Sequence, residues 1–134
     1  MLTSRRTIRI EWGDCDGAGI VYYPRYFEWF DACTHGLFEA AGLPMTRLLG
    51  EYSFVGIPMV DTRARFHRPS TFGDEVTIES TIVRWGRSSF DVQHRLLNGS
   101  ELLVEGFETR VWTVRDGERL KGAPVPDDVR GRFL

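Results

Sequence analysis

The chain is poor in most of the residues that carry redox, metal or disulfide chemistry. Its two cysteines, Cys15 and Cys33, form neither a CxxC pair nor a disulfide framework. Its three histidines stand far apart in sequence and leave no zinc-ligand spacing, so no metal is expected. No apolar run approaches the length of a membrane span. Residues 1–12 carry basic side chains but lack the apolar stretch and cleavage site of a signal peptide, so a cytoplasmic location without membrane contact is expected. A net charge of −2 gives no general attraction to nucleic acid, which is not expected as a partner. Internal repeats and low-complexity segments are missing too. Lysine is nearly absent: all but one of the 17 basic residues are arginine. An arginine fork suits phosphate recognition, although a compositional bias accounts for the same count.

What remains is an ordinary globular composition, 42% hydrophobic and 27% charged. At 134 residues the chain is long enough for a real core and too short for two ordinary ones, so a single domain spanning residues 1–134 is expected. Residues 7–12 alternate as a half-buried strand does, with Ile8, Ile10 and Trp12 inward. Helical periodicity begins after Pro24, which is preorganised for a first helical turn. Tyr26, Phe30, Cys33, Leu37 and Ala41 form a stripe, widened by Phe27, Trp29 and Phe38. So broad a face predicts a helix over 24–41 almost surrounded by protein, stopped by Gly42 and Pro44.

Residues 43–58 predict a short helical turn and loop. Four strands follow. Val60, Thr62, Ala64 and Phe66 share a face of the first; Val76, Ile78, Ser80 and Ile82 line the second; Ser88, Phe90, Val92, His94 and Leu96 line the third. The Asn98-Gly99 turn leads into the fourth, over 102–114, apolar on both faces. Burial on both faces implies a second cover, such as another subunit. Residues after Pro124 read as a poorly structured tail, with Phe133 and Leu134 free to dock. One strand, one buried helix and a four-strand meander make an α+β pattern, not a doubly wound one.

Chemistry is best placed at residues 13–24, where Asp14 and Asp16 lie in a glycine-rich turn before the helix. A helix start carries unpaired N–H donors and partial positive charge. It can polarise a substrate carbonyl while Asp16 attacks it or activates water. The plain alternative for Asp16 is a turn closed on its own backbone. Asp14 reads as a loop stabiliser accepting backbone N–H groups, and nothing near Cys15 supplies a base. Asp31 sits at the edge of the aromatic stripe and calls for a partner; the plain alternative is a solvated face position paired with an arginine. His35, His67 and His94 read as ordinary surface or interface histidines.

Glu11-Trp12-Gly13-Asp14-Cys15-Asp16-Gly17-Ala18-Gly19-Ile20-Val21-Tyr22-Tyr23-Pro24, then Tyr26 and Trp29-Phe30-Asp31, resemble the 4-hydroxybenzoyl-CoA thioesterase family of hotdog-fold proteins. Val55-Gly56-Ile57-Pro58-Met59-Val60, Trp85-Gly86-Arg87-Ser88-Ser89-Phe90 and Asp116-Gly117-Glu118-Arg119-Leu120 extend the match over almost the whole chain. The resemblance implies an antiparallel sheet wrapped around one long helix. It also implies a homodimer with active sites at the interface, paired further into a dimer of dimers.

Asp16 matches the family's catalytic aspartate, and the Tyr23 backbone N–H matches its oxyanion donor. Gly17 stands where the family pattern has proline. The implied reaction is hydrolysis of an aromatic acyl-CoA, 4-hydroxybenzoyl-CoA or a close analogue. Coenzyme A is then part of the substrate, and no separate cofactor is needed. Asp31 would receive a polar ring substituent, Phe27 would stand beside it on the aromatic stripe, and Gly56 would approach the acyl group. Coenzyme A phosphates need basic side chains; Arg84 and Arg87 are the best pair, with Ser88 or Ser89 adding a hydroxyl and Arg63, Arg65 and Arg68 competing. Two other readings stand: a thioesterase of the same fold for aliphatic acyl-CoA or acyl-carrier protein, and a non-catalytic acyl-CoA-binding module.

Overall fold

The computed structural model describes all residues, 1–134. Helix α1 (Pro24–Ala40) packs against a five-stranded sheet in the order β1 (Thr3–Arg9), β4 (Glu75–Trp85), β5 (Ser89–Asn98), β6 (Glu101–Val111), β3 (Met59–Phe66). A three-stranded sheet joins β2 (Phe54–Gly56), β7 (Thr113–Asp116) and β8 (Arg119–Gly122). Every strand pair is antiparallel. Short helices α2 (Met45–Glu51) and α3 (Asp127–Gly131) complete the chain.

The expected periodicities decide burial. Tyr26, Phe30, Cys33, Leu37 and Ala41 are all buried, as are Val76, Ile78 and Ile82 of β4 and Phe90, Val92 and Leu96 of β5. Gly42, with φ +76°, closes α1 by donating its N–H to Glu39 O. Gly106 lets α1 approach β6: a Cβ there would lie 2.5 Å from the Phe30 ring. That ring stacks on His94 at 4.9 Å.

The apolar core falls into two clusters, and the sequence register explains the gap. Ser80 stands between Ile78 and Ile82 on β4, His94 between Leu96 and Val92 on β5, and Glu108 and Arg110 between Val104 and Trp112 on β6. Thr34 stands between Phe30 and Leu37 on α1. All five polar residues are buried. A polar seam therefore crosses the core beneath α1.

Several expectations need correction. Trp12 is not on an inner strand face: β1 ends at Arg9, and Trp12 opens a 3-10 turn to Asp14, 74% exposed and packed edge-on against Phe72. On β3, a sheet edge in the single chain, Val60, Thr62 and Phe66 are exposed and Ala64 is partly buried. The strand expected over 102–114 breaks at Trp112, whose N–H bonds to Ser88 O, and β7 continues in the other sheet. The tail after Pro124 is ordered: Val125, Val129 and Phe133 are buried in the larger cluster, while Leu134 is exposed. His94 is no surface histidine; it is fully buried. For Trp12, the 102–114 strand, the tail and His94, a long-range contact outweighs a local pattern.

Candidate active site

Residues 15–21 form a tight loop closed by a Cys15–Val21 bridge. Asp16 N–H donates to Ile20 O at 2.9 Å, and Gly19, at φ +81°, donates to Asp16 O at 3.0 Å. Val21 N–H reaches Ser70 O and the Thr71 hydroxyl reaches Gly19 O, which fixes the loop to the approach of β4. Asp16 is exposed and its Oδ1 accepts the Ala18 N–H at 2.8 Å. The plain turn is therefore real, but it occupies one oxygen and leaves the other without a hydrogen-bond partner within the chain. Asp14 behaves as the expected loop stabiliser: its Oδ2 accepts the Glu11 N–H and its carbonyl accepts the Tyr22 N–H, both at 2.8 Å.

Tyr23 precedes Pro24 at the start of α1, and its N–H has no hydrogen-bond partner within the chain. No side chain caps this helix start and no acidic residue lies in its first turn, although the Asp14 carboxylate stands 3.9 Å from Arg25 Nε. Tyr23 also lines a pocket of about 300 Å³, with Ile20, Tyr26, Phe66, His67 and Arg68. Phe27 lies one turn further along α1, partly buried.

Asp31 sits elsewhere. Its Oδ1 accepts a hydrogen bond from Arg110 Nη2 at 2.7 Å, and His35 Nε2 lies 4.0 Å away. Arg110 and His35 border a second pocket of about 390 Å³, formed with Leu49, Gly56, Ile57 and Pro58. Arg110 is itself buried, with Nη1 on Ile57 O at 3.0 Å and Nε on Glu108 Oε1 at 2.8 Å.

The Thr34 hydroxyl donates to Glu108 Oε1 at 2.6 Å. Having spent its one proton there, it can only accept from His94 Nε2–H, 3.2 Å away, while His94 Nδ1 meets Ser80 Oγ at 2.7 Å. His94 Nε2 is also 3.3 Å from Glu108 Oε2, an oxygen with no aligned donor, so that attraction is electrostatic. Burial alone would raise the Glu108 carboxyl from its ordinary 4.5. The contact and charge of His94, then those of Arg110, outweigh burial and hold it at about 2. Arg110 is pushed up: burial opposes its charge, but Glu108 and then Asp31 more than compensate.

Arg84, Arg87, Ser88 and Ser89 cluster at the β4–β5 turn. Arg84 Nη1 is 3.4 Å from Asp91, and Arg87 is exposed with no ion-pair partner. The C-terminal segment holds this turn: Arg130 Nη2 donates to Gly86 O at 2.6 Å and Arg87 O at 2.9 Å, and its guanidinium lies over Trp85. The competing arginines are engaged. Arg63 and Arg65 lie over the Phe107 ring, and Arg68 pairs with Glu101 at 2.8 Å.

The structure brings these candidates together in two groups at opposite ends of the sheet. The loop of Asp16 and Tyr23 adjoins the end where Arg9 pairs with Glu75 and Phe66 with Val104. Gly56 and the 84–89 turn lie at the end where Trp85 pairs with Phe90 and Met59 with Arg110. The length of β4, about 30 Å, separates the Asp16 loop from the 84–89 turn, while Asp31 lies midway along α1, about 12 Å from Tyr23, and reaches the second group through Arg110. No pocket contains both Tyr23 and Arg110. Sequence reasoning missed the Thr34–His94–Glu108–Arg110 seam, whose signal was two charges in the inward register of an otherwise apolar strand. It also missed that His67, paired with Glu105 at 2.9 Å, borders the Tyr23 pocket.

A model of the thioesterase-like superfamily matches residues 10–133. The 4-hydroxybenzoyl-CoA thioesterase of Pseudomonas sp. (strain CBS-3) is 40% identical over 126 residues, covering 90% of this chain and 89% of that one. A 1,4-dihydroxy-2-naphthoyl-CoA hydrolase of Synechococcus sp. (strain WH7803) is 27% identical over 124 residues, covering 88% and 81%. Among solved structures, a 4-hydroxybenzoyl-CoA thioesterase with an aspartate-to-asparagine substitution, complexed with 4-hydroxybenzoyl-CoA, matches with a TM-score of 0.91 at 36% identity over 98% of this chain and 99% of that one. Agreement of sequence and architecture over nearly the full length places the chain in the thioesterase-like superfamily, as a hotdog-fold acyl-CoA thioesterase of the 4-hydroxybenzoyl-CoA thioesterase family.

Proposed function

We propose that the protein hydrolyses an aromatic acyl-CoA, 4-hydroxybenzoyl-CoA or a close analogue, with Asp16 as nucleophile or general base. The observation that carries this reading is the unpartnered Tyr23 N–H at an uncapped helix start, with Asp16 held by its turn in the adjoining loop. The N–H and the helix's positive end stabilise charge on the thioester oxygen as it develops. Asp16 then attacks the carbonyl carbon and expels coenzyme A thiolate, leaving a mixed anhydride that water opens. In the alternative step Asp16 takes a proton from water as that water attacks. Either way the thiolate leaves with little need of an acid. The relatives named above act on ring-hydroxylated acyl groups, which supports an aryl substrate.

The site is best read as shared between two copies. Within one chain the Tyr23 N–H points out of the start of α1, away from Asp31, which is about 12 Å further along the axis. Strand β3 is an unpaired edge, with Val60 and Phe66 exposed. Antiparallel pairing of β3 with its copy about a two-fold axis sets the Phe66 end of one chain against the Met59 end of the other. Tyr23 and Asp16 of one copy then face Asp31 and Gly56 of the next, with Arg84, Arg87, Ser88 and Ser89 placed to meet the coenzyme A portion.

The test is a steady-state panel of aromatic and aliphatic acyl-CoA thioesters, run with wild type and Asp16→Asn. Aryl thioesters should be preferred, and Asp16→Asn should fold normally while kcat falls by a factor on the order of 100 or more. Near wild-type turnover by folded Asp16→Asn refutes the role of Asp16, and a preference for aliphatic chains refutes the aryl substrate.

A further inference from the structure

We propose that Arg110 is a positioning residue for acyl-group selectivity: it holds Asp31 in one orientation, so that the free carboxylate oxygen accepts a hydrogen bond from a ring hydroxyl of the substrate. This rests on the reading of Asp31 as the acyl-recognition residue. The sequence marks Arg110 only as a charge in the inward register of β6, and its partner Asp31 comes from a distant helix.

The geometry leaves Arg110 little choice. Its three nitrogens are each committed: Nε to Glu108, Nη1 to Ile57 O, Nη2 to Asp31 Oδ1. Its side chain is 3% exposed, whereas that of Asp31 is 49% exposed. The pair thus joins the immobile interior to the surface. Oδ1 of Asp31 is taken by the guanidinium, and Oδ2 has no hydrogen bond within the chain. A carboxylate on an unsupported helix surface samples several rotamers; one anchored to a buried fork does not.

Behind the fork, Glu108 is itself fixed by Thr34 on α1 and by His94, which Ser80 orients from β4. The Ile57 carbonyl carries the same anchor to Gly56 and the wall of the neighbouring pocket. One guanidinium therefore sets the spacing between α1, β6 and the loop before β3. That spacing is what must hold for a planar ring with a polar end to be told from one without it. Recognition of a hydroxyl by a fixed charged acceptor discriminates strongly against the analogue that lacks it.

The experiment compares kcat/KM for 4-hydroxybenzoyl-CoA and benzoyl-CoA, which differ by that hydroxyl. Asp31→Ala should lower the ratio about tenfold or more, as expected for losing a hydrogen bond to a charged group. Arg110→Lys keeps a charge for Glu108 but cannot bond Glu108, Ile57 O and Asp31 together. It should lower the ratio to a similar degree, and combining the two changes should add little. Should Arg110→Lys not fold, Arg110→Met with Glu108→Gln removes both buried charges together and makes the same prediction. A ratio that collapses in Asp31→Ala but survives in the Arg110 variants overturns the positioning role and leaves Asp31 in place. Equal losses on both thioesters in the Arg110 variants make the residue structural and also overturn the role. Failure of the parent reading looks different: wild type cleaves neither thioester, or Asp31→Ala leaves the ratio unchanged, and the proposal for Arg110 falls with it.

Discussion

Replacing Glu108 with glutamine tests the buried seam directly, because acid and mutation remove the same charge. The Glu108 side chain is 1% exposed, and its carboxyl is held at about 2 against an ordinary 4.5. That gap corresponds to about 3 kcal/mol of stabilisation. The folded value lies below the unfolded one, so this stability is fully present above about pH 4.5 and is lost as the pH falls toward 2. Around Glu108 stand Asp31 and Thr34 from α1, Ser80 from β4, His94 from β5 and Arg110 from β6.

The assay is urea unfolding of wild type and Glu108→Gln at one fixed protein concentration, since any oligomerisation makes stability concentration-dependent. Near neutral pH the variant should be less stable by about 3 kcal/mol or more, because Arg110 loses its buried counter-charge. Between about pH 5 and 2 the gap should shrink by about 3 kcal/mol as wild type loses the same charge. Carboxylates remote from the cluster titrate alike in both proteins and cancel from the difference. Adding Asp31→Asn to both proteins removes the one carboxylate that shares Arg110 with Glu108. A gap that stays constant with pH, or a variant as stable as wild type at neutral pH, refutes the argument.

Asp16→Asn and Asp31→Ala chains, each defective alone, should recover about a quarter of wild-type activity on 4-hydroxybenzoyl-CoA when unfolded and refolded together, because half of the dimers then carry one intact composite site; no recovery places both residues in one chain's site. Gly106→Ala should lower stability by about 1–3 kcal/mol through overpacking, since the new Cβ would lie 2.5 Å from the Phe30 ring. Thermal melts should show that loss partly recovered when Phe30→Leu is added, and full tolerance of the alanine would refute the tight approach of α1 to β6.

Much of the architecture was legible because local periodicity and burial agree. The stripe on α1, the inner faces of β4 and β5, and the loop from Asp14 to Tyr23 all follow from spacing and turn chemistry read along the chain. What was hidden depends on contacts between distant segments. Trp12 completes an alternating pattern, yet the ladder ends before it and Gly13 turns the chain away. The tail after Pro124 has little periodicity, but Val129 and Phe133 fill the core and Arg130 ties down the β4–β5 turn. His94 sat in the correct register for burial. Its partners Ser80, Thr34 and Glu108 come from three other elements, and no local signal joins them.

The seam also shows why Asp31 differs from an ordinary helix-surface carboxylate. An exposed ion pair contributes little, because water screens it and both side chains lose freedom to form it. Here the guanidinium has lost that freedom already, within the core, to Glu108 and Ile57 O. The Asp31 contact therefore adds order to one side chain rather than two. A buried ion cluster is seldom the most stable way to fill an interior, and apolar replacements of similar volume often do as well. What apolar packing cannot do is carry a fixed direction from the middle of the sheet to the surface. Thr34, His94, Glu108 and Arg110 do so through successive short contacts, from Ser80 Oγ at 2.7 Å from His94 to Arg110 Nη2 at 2.7 Å from Asp31. The orientation of Asp31 is thus inherited from the core, and changes deep in the sheet should be felt at the site.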